Sequence, residues 1–373
     1  MAAGPGGAQW LGAAPLRVLG SRRRAGKLIT DRSPCRDRRC YGIGHTLEEV
    51  KLQQLRFLVA VAQSDLSITA AAARLSTTQP GISKQLKALE HELGFDIFVR
   101  KGRALTGITS AGHRVLAHAL EVARETRNIN GISADFRHAH RGSLSLGTTH
   151  TQARYVLPPV IQRFRSAYPG VEFHLHQGTS EQIAEMARMD RINFAIATGS
   201  HELFDRYPQL PWYHWHHRVI VPAGHPLAAA DTLTLERLAE FPIVTYAFSF
   251  SGRSSLSDSF HRVGLHPNIV LTARDAEVIK TYVRLGLGAG IVAGMALDPV
   301  EDTDIISIDV SHLLSAQTTW VGFSRGSLLR GYMYEFLQLL APHLTRALVD
   351  RAASCDRQEE VEALFEHLEL PVR

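Results

Sequence analysis

The chain has no run of apolar residues approaching the ~18 needed to cross a bilayer as a helix, so no helical membrane span is expected. Cysteine is scarce: Cys35, Cys40 and Cys355 are the only three in 373 residues. Their wide placement suits a reducing cytoplasm, and Cys35 and Cys40, with no matching pair elsewhere, argue poorly for zinc. Other signatures are incomplete. Ser251-Gly252-Arg253 contains a serine, but no G-x-S-x-G surrounds it and no base is indicated. Gly286, Gly288 and Gly290 form GLGAG, yet the third glycine of a dinucleotide fingerprint is misplaced and no ribose-binding acid follows. His214, His216 and His217 surround Trp215 without an acidic or cysteine partner, so a metal site is not expected there. No cofactor and no internal repeat are indicated.

What is present is uneven in charge. Residues 1–49 hold 9 basic and 4 acidic side chains, residues 50–141 hold 13 and 7, and residues 142–373 hold 19 and 25. A basic front joined to an acidic body suits nucleic-acid binding by one part of the chain. The length allows two or three domains.

The most informative stretch is Ser67 to Arg103. Ile68 to about Leu75 is predicted as a helix whose small residues, Ala70 to Ala73, permit close approach by another. Thr77 and Thr78 are N-cap candidates for a second helix, with Pro80 in its first turn. Ile82, Leu86, Leu89 and Leu93 then form a buried stripe, and Gly94 is placed to end it. Gln79, Ser83, Lys84 and Lys87 lie on the opposite face, able to meet base edges or phosphates. That is the pattern of a helix-turn-helix. An ordinary helical hairpin with a solvated face would share part of it. Phe95 to Phe98 alternates like a short strand, and Arg100, Lys101 and Arg103 follow as a basic wing able to meet phosphate.

Lys51 to about Ser64 is predicted as a preceding helix. Thr109 or Ser110 caps a following one, running at least to Asn130. Val115, Val122 and Ile129 fall seven apart with Ala119 and Thr126 between, a short coiled-coil pattern; Gly131 to Gly142 reads as a hinge. From Ser143 the pattern turns α/β. Strands are expected at SLSLGTT, VEFHLHQG, FAIAT, VIVPAG, PIVTYAF, NIVLTAR and AGIVAG. Helices are expected over 158–168, 180–189, 234–241, 254–263, 275–285 and 328–339, and in the tail from Asp350. Alternation of this kind implies largely parallel sheets.

The run AAARLSTTQPGISKQLKALEHELGFDIFVRKGR, closing with TSAGHRVL, resembles the winged helix-turn-helix of LysR-type transcriptional regulators. TTHTQARYVLPPVI, FHLHQGTSEQIAE, FAIAT, TYAFSFSGRS and DAEVIKTYVRLGLGAGIVAGMA extend the resemblance, in order, to the CysB subgroup, which controls sulfur assimilation and cysteine biosynthesis. It covers Val50 to the C-terminus. It implies a winged helix-turn-helix (50–109), a dimerising linker helix and hinge (110–141), and an α/β effector domain (142–373) similar to a periplasmic binding protein. Subdomain I would take 142–212 and 317–349, subdomain II 213–316, and a tail 350–373. Family relatives begin at the residue matching Val50, and a valine codon can be GUG, a bacterial start. Residues 1–49, with Arg22 to Arg24 after a weakly apolar segment, have the wrong order for a secretory signal and are expected to be an unstructured leader or a mis-called start.

The resemblance implies a cytoplasmic, non-enzymatic activator, homotetrameric, bound to double-stranded promoter DNA and in contact with RNA polymerase. Its DNA-contacting residues would be Thr77, Thr78, Gln79, Ser83, Lys84 and Lys87, with Arg100 and Arg103 on the wing. Thr149, Gln152, Thr198 and Ser251 match the positions that hold a sulfate-like anion in the effector cleft; the fourth is usually Thr. The residues support this independently: Thr148 to Gln152, Thr198, Gly178 to Ser180 and Ser249 to Gly252 all follow strands, several before helix starts, where neutral donors suit a small anion. Each alone could be a helix cap. Acetylserine species would be inducers and sulfate, sulfide or thiosulfate opposing anions. A solute-binding protein or an enzyme on the same two-lobed body is the alternative, against which the helix-turn-helix stands.

Overall fold

The computed structural model describes residues 50–373 other than 103, 200, 230–231 and 248–254. The leader, Cys35 and Cys40, Arg103, Ser249, Ser251 and Gly252 lie outside the described residues. In α1 (Leu52–Gln63) the buried side is Phe57, Leu58, Val61 and Ala62. α2 (Ile68–Arg74) begins at Ser67, whose hydroxyl accepts from the Ala70 N–H, and buries Ala71 and Ala72 against it. α3 (Gln79–Leu93) is capped by Thr78, not Thr77: the Thr78 hydroxyl accepts from the Gly81 N–H at 3.3 Å. The helix ends at Gly94, whose φ of +77° suits a residue without a side chain. Ile82, Leu86 and Leu89 fill the core of this three-helix unit.

The wing is an antiparallel hairpin, β1 (Phe98–Lys101) with β2 (Ala104–Ile108), bulged between Val99 and Arg100. The expected strand at Phe95 to Phe98 therefore starts later. The Ile97 and Phe98 N–H groups donate to the Glu90 carboxylate at 2.9 and 3.2 Å, so a side chain, not a strand partner, satisfies them. α4 (Ser110–His138) is capped by Thr109. It passes straight through Gly131, so the expected hinge is helix as far as His138. A Cβ there would come within 3.1 Å of the Leu328 side chain, and Asn128 clamps the same loop through the Gly326 carbonyl and Leu328 N–H. Close packing explains that glycine. Val122, Ile129, Ile132 and Phe136 remain exposed along α4.

The remainder holds two five-stranded sheets. The first contains β3 (Gly142–Thr148), β4 (Val171–Gln177), β5 (Phe194–Thr198), β6 (Gln209–Trp215) and β12 (Gln317–Phe323), in the order β4-β3-β5-β12-β6. The second contains β7 (His217–Pro222), β8 (Ile243–Tyr246), β9 (Ile269–Ala273), β10 (Ala289–Ala293) and β11 (Ile305–Asp309), in the order β11-β7-β10-β8-β9. A π-helix (Gln152–Val156), α5 (Leu157–Ala167), α6 (Ser180–Arg188) and α10 (Gly331–Leu340) serve the first sheet; α7 (Leu235–Ala239), α8 (Ser255–Arg262) and α9 (Ala276–Arg284) intervene in the second. Phe164, Phe194, Phe323 and Phe336 pack in the first core, Val219, Phe260 and Ile291 in the second.

Both sheets are mixed, half of their pairings antiparallel, where largely parallel ones were expected. β12 runs against β5 and β6, and β7 against β10 and β11. The reason lies in the two crossings. β7 and β12 each enter from the other sheet, so they start where their neighbours finish. The first crossing falls at His216, beyond Trp212, because β6 stays paired with β12 to Trp215. The second falls within 310–316. Two tail helices follow, α11 (Arg346–Ser354) and α12 (Gln358–Ala363). The chain ends beside β6: the His214 N–H donates to the Pro371 carbonyl at 2.9 Å, and the His214 carbonyl accepts from the Arg373 N–H at 2.8 Å. No single helix among the described residues is long and apolar enough to cross a membrane.

Candidate functional site

The first candidate surface is the front of α3. Thr77, Thr78, Gln79, Lys84 and Lys87 are exposed there and Ser83 is half-buried. The Gln79 amide donates to the Thr69 hydroxyl, which joins α3 to α2. Lys84 and Lys87 form no ion pair among the described residues, leaving both ammonium groups available to an anion. Ser67, Thr69, Gln79, Ser83, Lys87 and Arg100 border one groove of about 600 Å³ between α2, α3 and the wing.

Arg100 does not present a free cation. Its guanidinium grips Glu90 through both nitrogens, at 3.1 and 2.7 Å, while Glu90 is buried and also accepts the two wing N–H groups. Burial pushes the Glu90 carboxyl up, but the Arg100 and backbone hydrogen bonds outweigh it and hold it below the usual carboxylate range. The Arg100 charge, expected to meet phosphate, is thus paired within the fold, where it fastens the wing to α3.

The second candidate surface is the cleft end of the first sheet. β3 ends at Thr148, fully buried, whose hydroxyl has no partner among the described residues. Gln152 opens the π-helix and is buried. Its oxygen accepts from the Tyr213 hydroxyl, and its amide donates to the Thr319 hydroxyl at 3.4 Å. Thr319 shares a hydrogen bond with Thr198 at 2.8 Å, and the Trp215 indole N–H reaches Thr198 at 3.4 Å. Gln152 and Thr198, distant in sequence, are therefore joined through Thr319. Thr149 is half-buried beside them, its carbonyl accepting from Ala153 N–H, and its hydroxyl takes no part in that network. Burial raises the Tyr213 phenol to about 12 despite its bonds to Thr319 and Gln152. Every member is neutral, and each amide, hydroxyl or indole N–H can donate.

The facing sheet touches this network. The Tyr213 hydroxyl lies 3.5 Å from the Met295 sulfur, and the Tyr155 hydroxyl donates to Glu277 on α9 at 2.7 Å. The three histidines do not converge. His214 Nδ1 meets the Thr318 hydroxyl at 2.9 Å, whereas His217 stands 4.8 Å from the Trp215 ring. Burial, reinforced by His216, lowers His217 to about 4, so it is neutral at pH 7.

Sequence reasoning missed Thr319, Tyr213 and Trp215. Its strand pattern did not include β6, which contains Pro211, or β12, which opens with the polar Gln317-Thr318-Thr319. The antiparallel return of β12 is what puts Thr319 opposite Thr198 and Tyr213.

Comparison with known proteins gives two family matches: the bacterial regulatory helix-turn-helix protein, lysR family, over residues 52–113, and the LysR substrate binding domain over residues 137–345. The HTH-type transcriptional regulator CysB of Haemophilus influenzae is 44% identical over 324 residues, 87% of this chain and 100% of that protein. The HTH-type transcriptional regulator SsuR of Burkholderia cenocepacia is 45% identical over 80% of this chain and 97% of its own, and the regulator cbl of Escherichia coli 40% over 84% and 99%. Among solved structures, the cofactor-binding domain of the Cbl transcriptional regulator matches with a TM-score of 0.54 at 42% identity, covering 57% of this chain and 93% of that one. Full-length OxyR from Pseudomonas aeruginosa shares the fold at a TM-score of 0.63, 20% identity, and coverage of 80% and 98%.

Proposed function

Because the chain belongs to the LysR family of DNA-binding transcriptional regulators, and is not an enzyme, we propose that it controls sulfur-assimilation and cysteine-biosynthesis genes in response to a small anion or an acetylserine-type effector. The names of its relatives CysB, SsuR and cbl support the gene class. One observation carries the effector class: Gln152, Thr198, Thr319, Trp215 and Tyr213 form a neutral, interlinked donor network at the end of β5. Selection there rests on hydrogen-bond geometry, because no charged side chain belongs to it.

On the DNA side, Gln79 and Ser83 read base edges while Lys84 and Lys87 meet phosphates, with Thr77 and Thr78 at the helix start. Arg103 remains the wing's candidate phosphate contact, and Ser251 completes the effector set with Thr149. The protein acts in the cytoplasm as a homotetramer built on α4, and recruits RNA polymerase. Calorimetry with sulfate, thiosulfate and acetylserine, beside operator gel shifts with and without each, tests the reading. A ligand that binds and changes the shift supports it; absence of binding by all three overturns the effector class.

A further inference from the structure

At one short turn, three residues of the sensing fold make five contacts with the DNA-reading unit and α4. The turn follows α6 and leads into β5. Met189 packs its side chain against the core formed by α1, α2 and α3. Its carbonyl accepts from the buried Gln63 amide at 2.6 Å, and Gln63 in turn accepts from Arg74 of α2. Asp190 accepts from Arg127 of α4 at 2.5 Å and is itself only 10% exposed. Arg191 donates to Asp65, just beyond α1, at 2.7 Å and reaches the Ala62 carbonyl at 3.5 Å.

Both sides of this contact are conformationally unusual. Asp190 has φ +51°, and across from it Asp65 and Leu66 have φ +51° and +63°. Non-glycine residues, and Leu above all, adopt this region at a penalty, and it persists where surrounding contacts fix it. The turn is also placed to report on the cleft. β5 runs without interruption from Phe194 to Thr198, which bonds Thr319 and Trp215. α6 is capped by Thr179, beside the end of β4, and Tyr207 ties its far end by donating to the Ala187 carbonyl. A displacement at Thr198 therefore has a stiff strand through which to reach Arg191. At the other end, Leu66 and Ser67, next to Asp65, border the groove in front of α3.

We propose that the turn Met189–Arg191 is a latch that holds the DNA-reading unit against the sensing fold and carries the state of the cleft to it; the second half rests on the effector reading above. Sensor-side substitutions test it cleanly, because the sequence of α1 to α3 stays intact. In the full chain without ligand, Met189→Ser combined with Arg191→Ala is expected to speed amide hydrogen exchange over residues 58–75 at least fivefold. Exchange over β9 (Ile269–Ala273), at the edge of the other sheet, should stay unchanged. Charge exchange guards against a folding defect: Asp65→Arg and Arg191→Asp should each speed exchange over 58–75, and the pair together should return it to within about twofold of the parent. Unchanged exchange in the sensor-side variant, or a pair as fast as its single variants, overturns the latch. Sulfate then tests transmission. Protection of β5 by sulfate should be accompanied by altered exchange over 58–75 in the parent and not in Met189→Ser/Arg191→Ala; protection of β5 alone in the parent overturns the transmission half. Sulfate without effect on β5 counts against the effector reading, while the ligand-free comparison still decides the latch.

Discussion

The front of α3 and the cleft at the end of β5 both suit anions, by opposite means. On α3 the ammonium groups of Lys84 and Lys87 stand in water, unpaired among the described residues. In the cleft no member of the network is charged, and the donors are half-buried or buried and already bonded to each other. Water screens the first arrangement, which suits a long polyanion held by many weak contacts. The second is shielded and has little freedom, which suits one small ion of definite shape. Between them lies Arg100, a cation that resembles the α3 lysines in sequence but in space is paired with the buried Glu90.

The sharpest break of this comparison is therefore Arg100→Ala. It leaves the Glu90 carboxylate buried without its bidentate partner, and hydrogen bonds to charged groups are worth ~1.5–3 kcal/mol each. With part of the loss relieved by water at the partly exposed guanidinium, the chain should lose about 2–3 kcal/mol of unfolding stability, read by denaturant melts. Lys84→Ala should change stability by under ~0.5 kcal/mol. Equal small losses would mean that the pair with Glu90 does not fasten the wing.

In the cleft, Thr198→Val keeps shape and removes a donor. Ligand affinity by calorimetry should fall by ~1.5–3 kcal/mol, roughly ten- to hundredfold, with ligand-free DNA binding kept within about threefold. Unchanged affinity in both Thr198→Val and Thr149→Val would move the sensing site elsewhere.

The dry character of this region can also be read by pH. His217 has a folded value of about 4 against an ordinary 6.5. The unfolded chain thus binds the proton first, so the stability that this residue contributes is present above pH 6.5 and lost progressively as pH falls toward 4. Between pH 7 and pH 5 that loss is about 2 kcal/mol. His176 and His225 are shifted the same way, by burial first, and add to the parent's slope. The difference between parent and His217→Phe isolates the effect. Parallel pH curves would mean that water reaches His217.

How far these features were legible follows the range of the interactions. The helix-turn-helix is local: the cap at Thr78, one of two candidates, the Ile82-Leu86-Leu89 stripe and the stop at Gly94 all act within a few residues, and each is where the pattern placed it. The strands β3, β5 and β10 were legible as apolar runs. The pairing of Arg100 was not legible because its partner, Glu90, lies on another element, and a basic run looks alike whether it faces phosphate or a buried carboxylate. Thr319 and Tyr213 were invisible because only the crossing of the chain between sheets, and the antiparallel return it forces, brings them to Thr198. Gly131 was misread because a glycine for close packing and a glycine for bending are the same letter; Leu328 decides between them.

The smallest effect separates the residues of α3 from one another. Lys84 is exposed, unpaired among the described residues and one turn into the helix, so a phosphate contact would use only its charge. Ser83, half-buried at the groove, and Gln79, tied to Thr69, have fixed directions that a base edge can recognise. Lys84→Ala should therefore weaken binding to operator and random DNA alike, and lower the slope of log affinity against log salt by about 0.9, the counterion share of one phosphate. Gln79→Ala or Ser83→Ala should leave that slope alone and relax discrimination at a single base position by ~1–3 kcal/mol. Gel shifts across a salt series on both DNAs read the two quantities separately. A change of slope for Gln79, or of base preference for Lys84, would exchange their roles; equal losses for all three on both DNAs would show that α3 meets only the backbone and that sequence is read elsewhere.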